Sequence, residues 1–178
     1  MKFVETDISG VVVIELEKHE DERGWFARAW CREEFNVHDL PIDLVECNIS
    51  YNEKRGTLRG MHFQATPHAE AKLVRCVMGA VHDVALDLRP ESPSYKKSIG
   101  IELSAHSGRA VFLPEGVAHG FQTLTDHSTL FYQMSSVYSP EAAGGARWDD
   151  PAFGIEWPLT NPIVSVRDQA FDLYSEKV

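Results

Sequence analysis

The sequence predicts an all-β sandwich or barrel, and three observations carry that expectation. Short apolar or alternating runs recur between turn signals, helical periodicity is nearly absent, and no repeat, low-complexity segment or linker divides the 178 residues. A chain of this length reads as one domain, residues 1–178, with a core large enough to need no disulfide or metal staple.

Taken in order, residues 11–16 (VVVIEL) form a short β-branched run and read as a buried strand. Residues 19–24 (HEDERG) read as a charged turn, and 25–30 (WFARAW) as a strand carrying aromatics. Residues 31–37 offer one or two helical turns, which Pro41 ends, and 44–50 form the next strand. The stretch 56–79, GTLRGMHFQATPHAEAKLVRCVMG, then sets Arg59, His62, Gln64, His68, Glu70, Lys72 and Arg75 among Met61, Phe63, Leu73 and Val74. Titratable groups at that density beside apolar ones suggest a pocket wall, because polar groups are costly to bury without partners or a function.

Residues 80–88 (AVHDVALDL) alternate, with Val81, Asp83, Ala85 and Asp87 on one face and His82, Val84, Leu86 and Leu88 on the other. Both faces are partly apolar, as in two stacked sheets. A turn at 90–95 precedes strands at 98–103 and 108–113, the latter closed by Pro114-Glu115-Gly116. Residues 121–124 and 129–134 read as a hairpin across Asp126-His127. From Tyr138 onward the tail is rich in proline and glycine, with one short helix expected at 167–173.

A net charge of −10 argues against nonspecific nucleic-acid binding, which needs surplus Lys and Arg, although a local basic cluster such as that in 56–79 suits an anionic ligand. Cys31, Cys47 and Cys76 are odd in number, widely spaced and without a CxxC, so buried free thiols in a reducing compartment are expected. The N-terminus shows no apolar signal core and no run approaches membrane-spanning length. A cytoplasmic protein without a membrane partner is the expectation.

Two spacings carry a resemblance. Gly56, five residues, His62, and Gly108, five residues, Pro114-Glu115-Gly116, two residues, His119, are similar to the two motifs of the cupin superfamily. That resemblance implies a cupin-type jelly-roll barrel with a few short peripheral helices. Metal-binding members carry His-x-His followed by Glu. Here the triplet is His62-Phe63-Gln64, so an imidazole ligand is missing and no metal is expected.

Within the cupins, RGWF (23–26), NIS (48–50), GTLRGMHFQ (56–64), KLVRCVMGAVHDVALDLR (72–89), LPEGVAHGFQTL (113–124) and RWDDPAFGIEWP (147–158) resemble the dTDP-4-dehydrorhamnose 3,5-epimerase family in order and spacing. The resemblance implies epimerisation at C3 and/or C5 of a 4-keto-6-deoxy sugar nucleotide. Both carbons flank the ketone, so their protons are acidified. The reaction needs a base, a group to hold the enolate oxygen and an acid on the opposite face, and no cofactor.

By that resemblance His62 is the base, oriented by Asp168, Lys72 clamps the enolate, and Tyr132 returns the proton. His119 and Asp83 form a supporting pair around the ketone. Arg23 and Arg59 hold the nucleotide and its phosphates, Phe26 and Asn48 share that end, and Tyr138 lies near the sugar. In a regular strand Arg59 and His62 face opposite sides, so the chain must bulge, with Gly60 the expected place.

Three positions depart from the family pattern: Arg28 replaces an acid, Glu46 a glutamine and Ala143 a glutamate. Arg28 and Glu46 are expected to pair with each other. The departures imply either an altered recognition end beside an intact catalytic one, or neutral drift at a tolerant rim. The resemblance also implies a homodimer with an exchanged N-terminal strand that covers a sheet edge. Two other readings stay open: a metal-dependent cupin oxygenase or isomerase using His62, Gln64, Glu70 and His119, and a non-catalytic sugar-binding cupin.

Overall fold

A computed structural model describes residues 1–40 and 43–175. In chain order the elements are β1 (Lys2–Glu5), β2 (Val12–Glu15), β3 (His19–Asp21), β4 (Gly24–Phe26), α1 (Arg32–Val37), β5 (Glu46–Asn52), β6 (Thr57–Gln64) and β7 (Lys72–Met78). They continue with β8 (Ala80–Asp87), β9 (Ser98–Ser104), β10 (Ala110–Leu113), β11 (Val117–Thr123), β12 (Ser128–Met134), β13 (Ala143–Gly145), β14 (Ile163–Val164) and α2 (Val166–Gln169).

The strands build two stacked sheets, a jelly-roll sandwich. The first runs β1-β2-β10-β7-β12-β5 and the second β13-β6-β11-β8-β9, with β14 parallel to β6. The alternation in the sequence explains the stacking. Val74 and Cys76 of β7, Val81 and Ala85 of β8, Val117 and Phe121 of β11 and Leu130 of β12 meet between the sheets as the main core. Val84 and Leu86, on the other face of β8, pack under Phe153 and the C-terminal segment.

The six-residue α1 is too short to stand on propensity, and its N-cap Cys31 makes no side-chain capping bond. It is held by the wholly buried Phe35, which meets Phe3 and Phe112 edge-on. Pro41, the expected end of this helix, lies outside the described residues.

Several boundaries differ from expectation. Residues 19–24 are not simply a turn: β3 and β4 pair as a small hairpin, and of 25–30 only Trp25 and Phe26 are in strand. β1 pairs with β2 of its own chain. The C-terminal helix is the single turn of α2, earlier and shorter than 167–173. β13 and β14 add strands where none was expected.

Candidate active site

β6 and β11 form one wall of the cleft at the open end of the sandwich. In their pairing His119 faces His62 and Phe121 faces Arg59, so Gly120 alone stands opposite Gly60 and Met61. The extra residue in β6 is the bulge expected there, and it brings Arg59 onto the side of His62. Gly60 has φ +122°, and a Cβ on it would lie 2.5 Å from Gly120 Cα and 2.8 Å from His119 O. Only glycine fits.

β7, β12 and β5 form the facing wall. Met134 pairs with Lys72, and Tyr132 pairs with Val74 on one side and Asn48 on the other. Period-two alternation therefore sends Lys72, Tyr132 and Asn48 inward together. The cavity of about 240 Å³ is lined by Asn48, Arg59, His62, Lys72, His119, Tyr132 and Tyr138, among others.

The His62 imidazole is held from behind. β14 pairs with β6 at Thr57 and Leu58, and the chain then turns into α2, whose N-cap Ser165 Oγ accepts from the Asp168 N–H. Asp168 Oδ1 lies 2.8 Å from His62 Nε2, and Oδ2 accepts from the Gly60 N–H at 3.2 Å. Burial pushes the Asp168 carboxyl up, but the hydrogen bond and charge of His62, with Gly60 and Ser165, outweigh it and hold it below the usual carboxylate range. An ionised carboxylate only accepts, so Nε2 carries the proton and Nδ1 is the basic nitrogen. Phe171 meets the ring edge-on at 6.1 Å.

His119 repeats the motif more deeply buried: its Nε2 lies 2.7 Å from Asp83 Oδ2. The Tyr132 ring meets His119 at 5.7 Å, near perpendicular. Burial, reinforced by the Asp83 charge, pushes the Tyr132 phenol well above its usual range. Lys72 is buried and paired with Glu70 at 3.0 Å. Arg59 Nε donates to Asn52 Oδ1 at 2.8 Å, which holds the guanidinium at the cleft.

The other expected residues lie elsewhere. Arg23 is exposed in the turn of the β3–β4 hairpin and bonds Asp21, and Phe26 is 76% exposed at the hairpin's open end, opposite His19. The expected Arg28–Glu46 pair is not formed. Arg28 bonds Glu34 of α1 at 2.8 Å, six residues ahead of it. Glu46 instead braces the rim, accepting from Asn48 Nδ2 at 2.6 Å and from the Tyr138 N–H at 3.0 Å. Ala143 lines the cleft directly. Arg167, also at the cleft, drew no attention in the sequence because its neighbours there are distant in the chain.

No group of three or more His, Cys, Asp or Glu side chains among the described residues is placed to hold a metal ion. His62 Nε2 is committed to Asp168, His119 Nε2 to Asp83, and Glu70 to Lys72.

Comparison with known proteins shows what the chain as a whole is similar to. The family described as dTDP-4-dehydrorhamnose 3,5-epimerase matches residues 5–176. The dTDP-4-dehydrorhamnose 3,5-epimerase of Shigella flexneri is 40% identical over 169 residues, covering 94% of this chain and 93% of that protein. The dTDP-4-dehydrorhamnose 3-epimerase of Streptomyces niveus is 40% identical over 177 residues, covering 99% of this chain and 85% of the relative. Among solved structures, the Bacillus anthracis dTDP-4-dehydrorhamnose 3,5-epimerase with TDP and PPi bound superposes with a TM-score of 0.94 at 36% identity, covering 97% of this chain and 99% of that one.

Proposed function

The chain belongs to the dTDP-4-dehydrorhamnose 3,5-epimerase family and is an epimerase of 4-keto-6-deoxy sugar nucleotides, and we propose that its chemistry runs through His62, Lys72 and Tyr132. His62 Nδ1 removes the proton beside the ketone, with Asp168 stabilising the imidazolium that forms. The Lys72 ammonium stabilises the enolate oxygen. Tyr132 then delivers a proton from the other face, and His119 with Asp83 supports the ketone.

One observation carries this reading: the base stands on β6 of one sheet, and the clamp and acid stand on β7 and β12 of the other. Inversion requires deprotonation and reprotonation on opposite faces of one carbon, and a cleft between two sheets supplies them. Arg59 and Asn48 take the nucleotide end, and Tyr138 the sugar end. The metal-dependent reading loses support because its four side chains are engaged with other protein groups.

We also propose a homodimer in which the β3–β4 hairpin brings Arg23, Phe26 and Arg28 toward the partner's cleft. Among the described residues the hairpin pairs with no other strand, and it exposes Trp25 and Phe26. A cytoplasmic location suits the free thiols of Cys31, Cys47 and Cys76, of which only Cys76 is buried as expected, Cys31 being half-buried and Cys47 exposed. No helix among the described residues is long and apolar enough to cross a membrane.

The test is solvent exchange. Incubated in D2O with dTDP-4-keto-6-deoxyglucose, the protein should introduce deuterium at C3, C5 or both, read by proton NMR. The carbons labelled report how many centres are inverted. An absence of exchange at both would leave a sugar-binding cupin.

A further inference from the structure

The wall of the cleft holds two buried polar side chains that the proposed reaction does not use, Gln64 and Glu70, at 3% and 7% exposure. Their hydrogen bonds form one chain that ends on the enolate clamp. Glu70 Oε1 accepts from Lys72 Nζ at 3.0 Å, and its Oε2 accepts from Gln64 Nε2 at 3.1 Å. Gln64 Nε2 also donates to His68 O at 3.0 Å and Val137 O at 3.3 Å, while its Oε1 accepts from the Ser139 N–H at 2.6 Å. The glutamine is thereby fixed from three sides and cannot turn away from the carboxylate.

An ammonium has three N–H donors. Lys72 commits one to Glu70 and directs another, at 3.4 Å, to the carbonyl of His62, which leaves the third for the cleft that it lines. Burial disfavours a charged amine unless a counter-charge accompanies it, and a flexible four-carbon stem does not aim itself. A carboxylate held rigidly behind the ammonium answers both needs.

We propose that Glu70 is a positioning residue for Lys72, holding its ammonium aimed at the ketone oxygen, and that Gln64 holds Glu70 in place from the 137–139 segment that also carries Tyr138. The proposal rests on the reading of Lys72 as the clamp. It gives a different role to the His-x-Gln-to-Glu spacing, which imitates a metal motif. Here the Gln and Glu orient a cation supplied by the protein.

A double-mutant cycle tests it, with kcat and KM measured over a range of dTDP-4-keto-6-deoxyglucose concentrations and folding monitored by thermal melting. Glu70→Gln keeps the shape but removes the charge and turns one of the two accepting oxygens into an NH2 donor. It should lower kcat by about 30-fold with KM changed less than about twofold, the pattern of a lost transition-state interaction. Lys72→Met should lower kcat by roughly 100-fold. In the Lys72→Met background Glu70→Gln should cost less than about twofold more, because residues acting as a unit are not additive.

If Lys72→Met leaves kcat intact, the clamp reading fails and this proposal with it. If Lys72→Met lowers kcat but Glu70→Gln does not, only the role of Glu70 fails. An equal loss from Glu70→Gln in both backgrounds also overturns it, since Glu70 would then act on something other than Lys72. Should Glu70→Gln not fold, Glu70→Asp runs the same cycle: it keeps the charge but withdraws it, so a smaller loss that again vanishes without Lys72 is expected.

Discussion

Tyr132 shows how one residue's surroundings decide its role. Burial and the Asp83 carboxylate both disfavour its phenolate, so it keeps its proton beyond the ordinary phenol value of about 10. An acid with a raised pKa loses its proton only as pH rises past that raised value. No decline in kcat from phenol ionisation is therefore expected up to about pH 10. Tyr132→Phe should retain deuterium exchange from solvent while inversion falls by roughly 100-fold, followed by NMR of substrate and product. Undiminished inversion would remove Tyr132 as the acid. Asp168 has the opposite sign. Its lowered pKa means that its contribution to folding is complete above about pH 4, the ordinary carboxylate value, and is lost as pH falls through the lower folded value. Asp168→Asn should keep the fold yet lower kcat by roughly 10³-fold or more, because the amide no longer stabilises the imidazolium. Wild-type kcat in that variant would detach Asp168 from the base.

At the scale of elements, the β6 bulge brings Arg59, proposed to hold the nucleotide, onto the side of the proposed base His62. Without the extra residue, Arg59 and His62 would face opposite sides of the strand. Gly60→Ala would drive a Cβ into Gly120 and His119 O and strain a backbone at φ +122°. A loss of about 3 kcal/mol or more, seen as a lowered Tm, is expected, together with loss of exchange activity; an unaltered Tm would show that the pairing yields easily. The bulge was legible in the sequence because two residues assigned to one ligand stood three apart in a strand with glycine between them. The stacked sheets were legible from alternation such as AVHDVALDL. The β3–β4 hairpin was not, because all six residues are exposed and no buried face imposes a pattern on them. β13 is Ala-Gly-Gly and β14 two residues long, held by backbone pairing to β6 that leaves no side-chain signal. Long-range partners were the hardest to read. Arg28 and Glu46 looked complementary, yet Arg28 bonds Glu34 while Glu46 bonds Asn48 and the Tyr138 N–H, and no spacing announced the contacts of Glu70 with Gln64 and Lys72.

For the whole molecule, the question is what covers the outer face of the first sheet. Ile49, Tyr51 and Val77 stand on it at 72%, 52% and 47% exposure, and the separate β3–β4 hairpin also exposes Trp25 and Phe26. Apolar groups clustered on one side of a monomer mark an association surface. Arg75, on the same face of β7, donates to the carbonyls of Gly108 and Ala29; burial pulls its guanidinium down to about 10, so it remains charged at neutral pH. Each copy carries a net charge of −10, so association must overcome like-charge repulsion and should tighten as salt screens it. In the proposed homodimer, Ile49→Asp buries a carboxylate at the interface without disturbing a side chain that the monomer's core needs. The variant should sediment as a monomer, keep the strand signature in circular dichroism, and lose activity roughly in proportion to the monomer fraction, because Arg23, Phe26 and Arg28 would no longer reach a second cleft. Raising the protein concentration until dimer returns should restore turnover. A fully active monomer would show that one chain completes its own site, and the hairpin residues would then lose their assignment to the nucleotide.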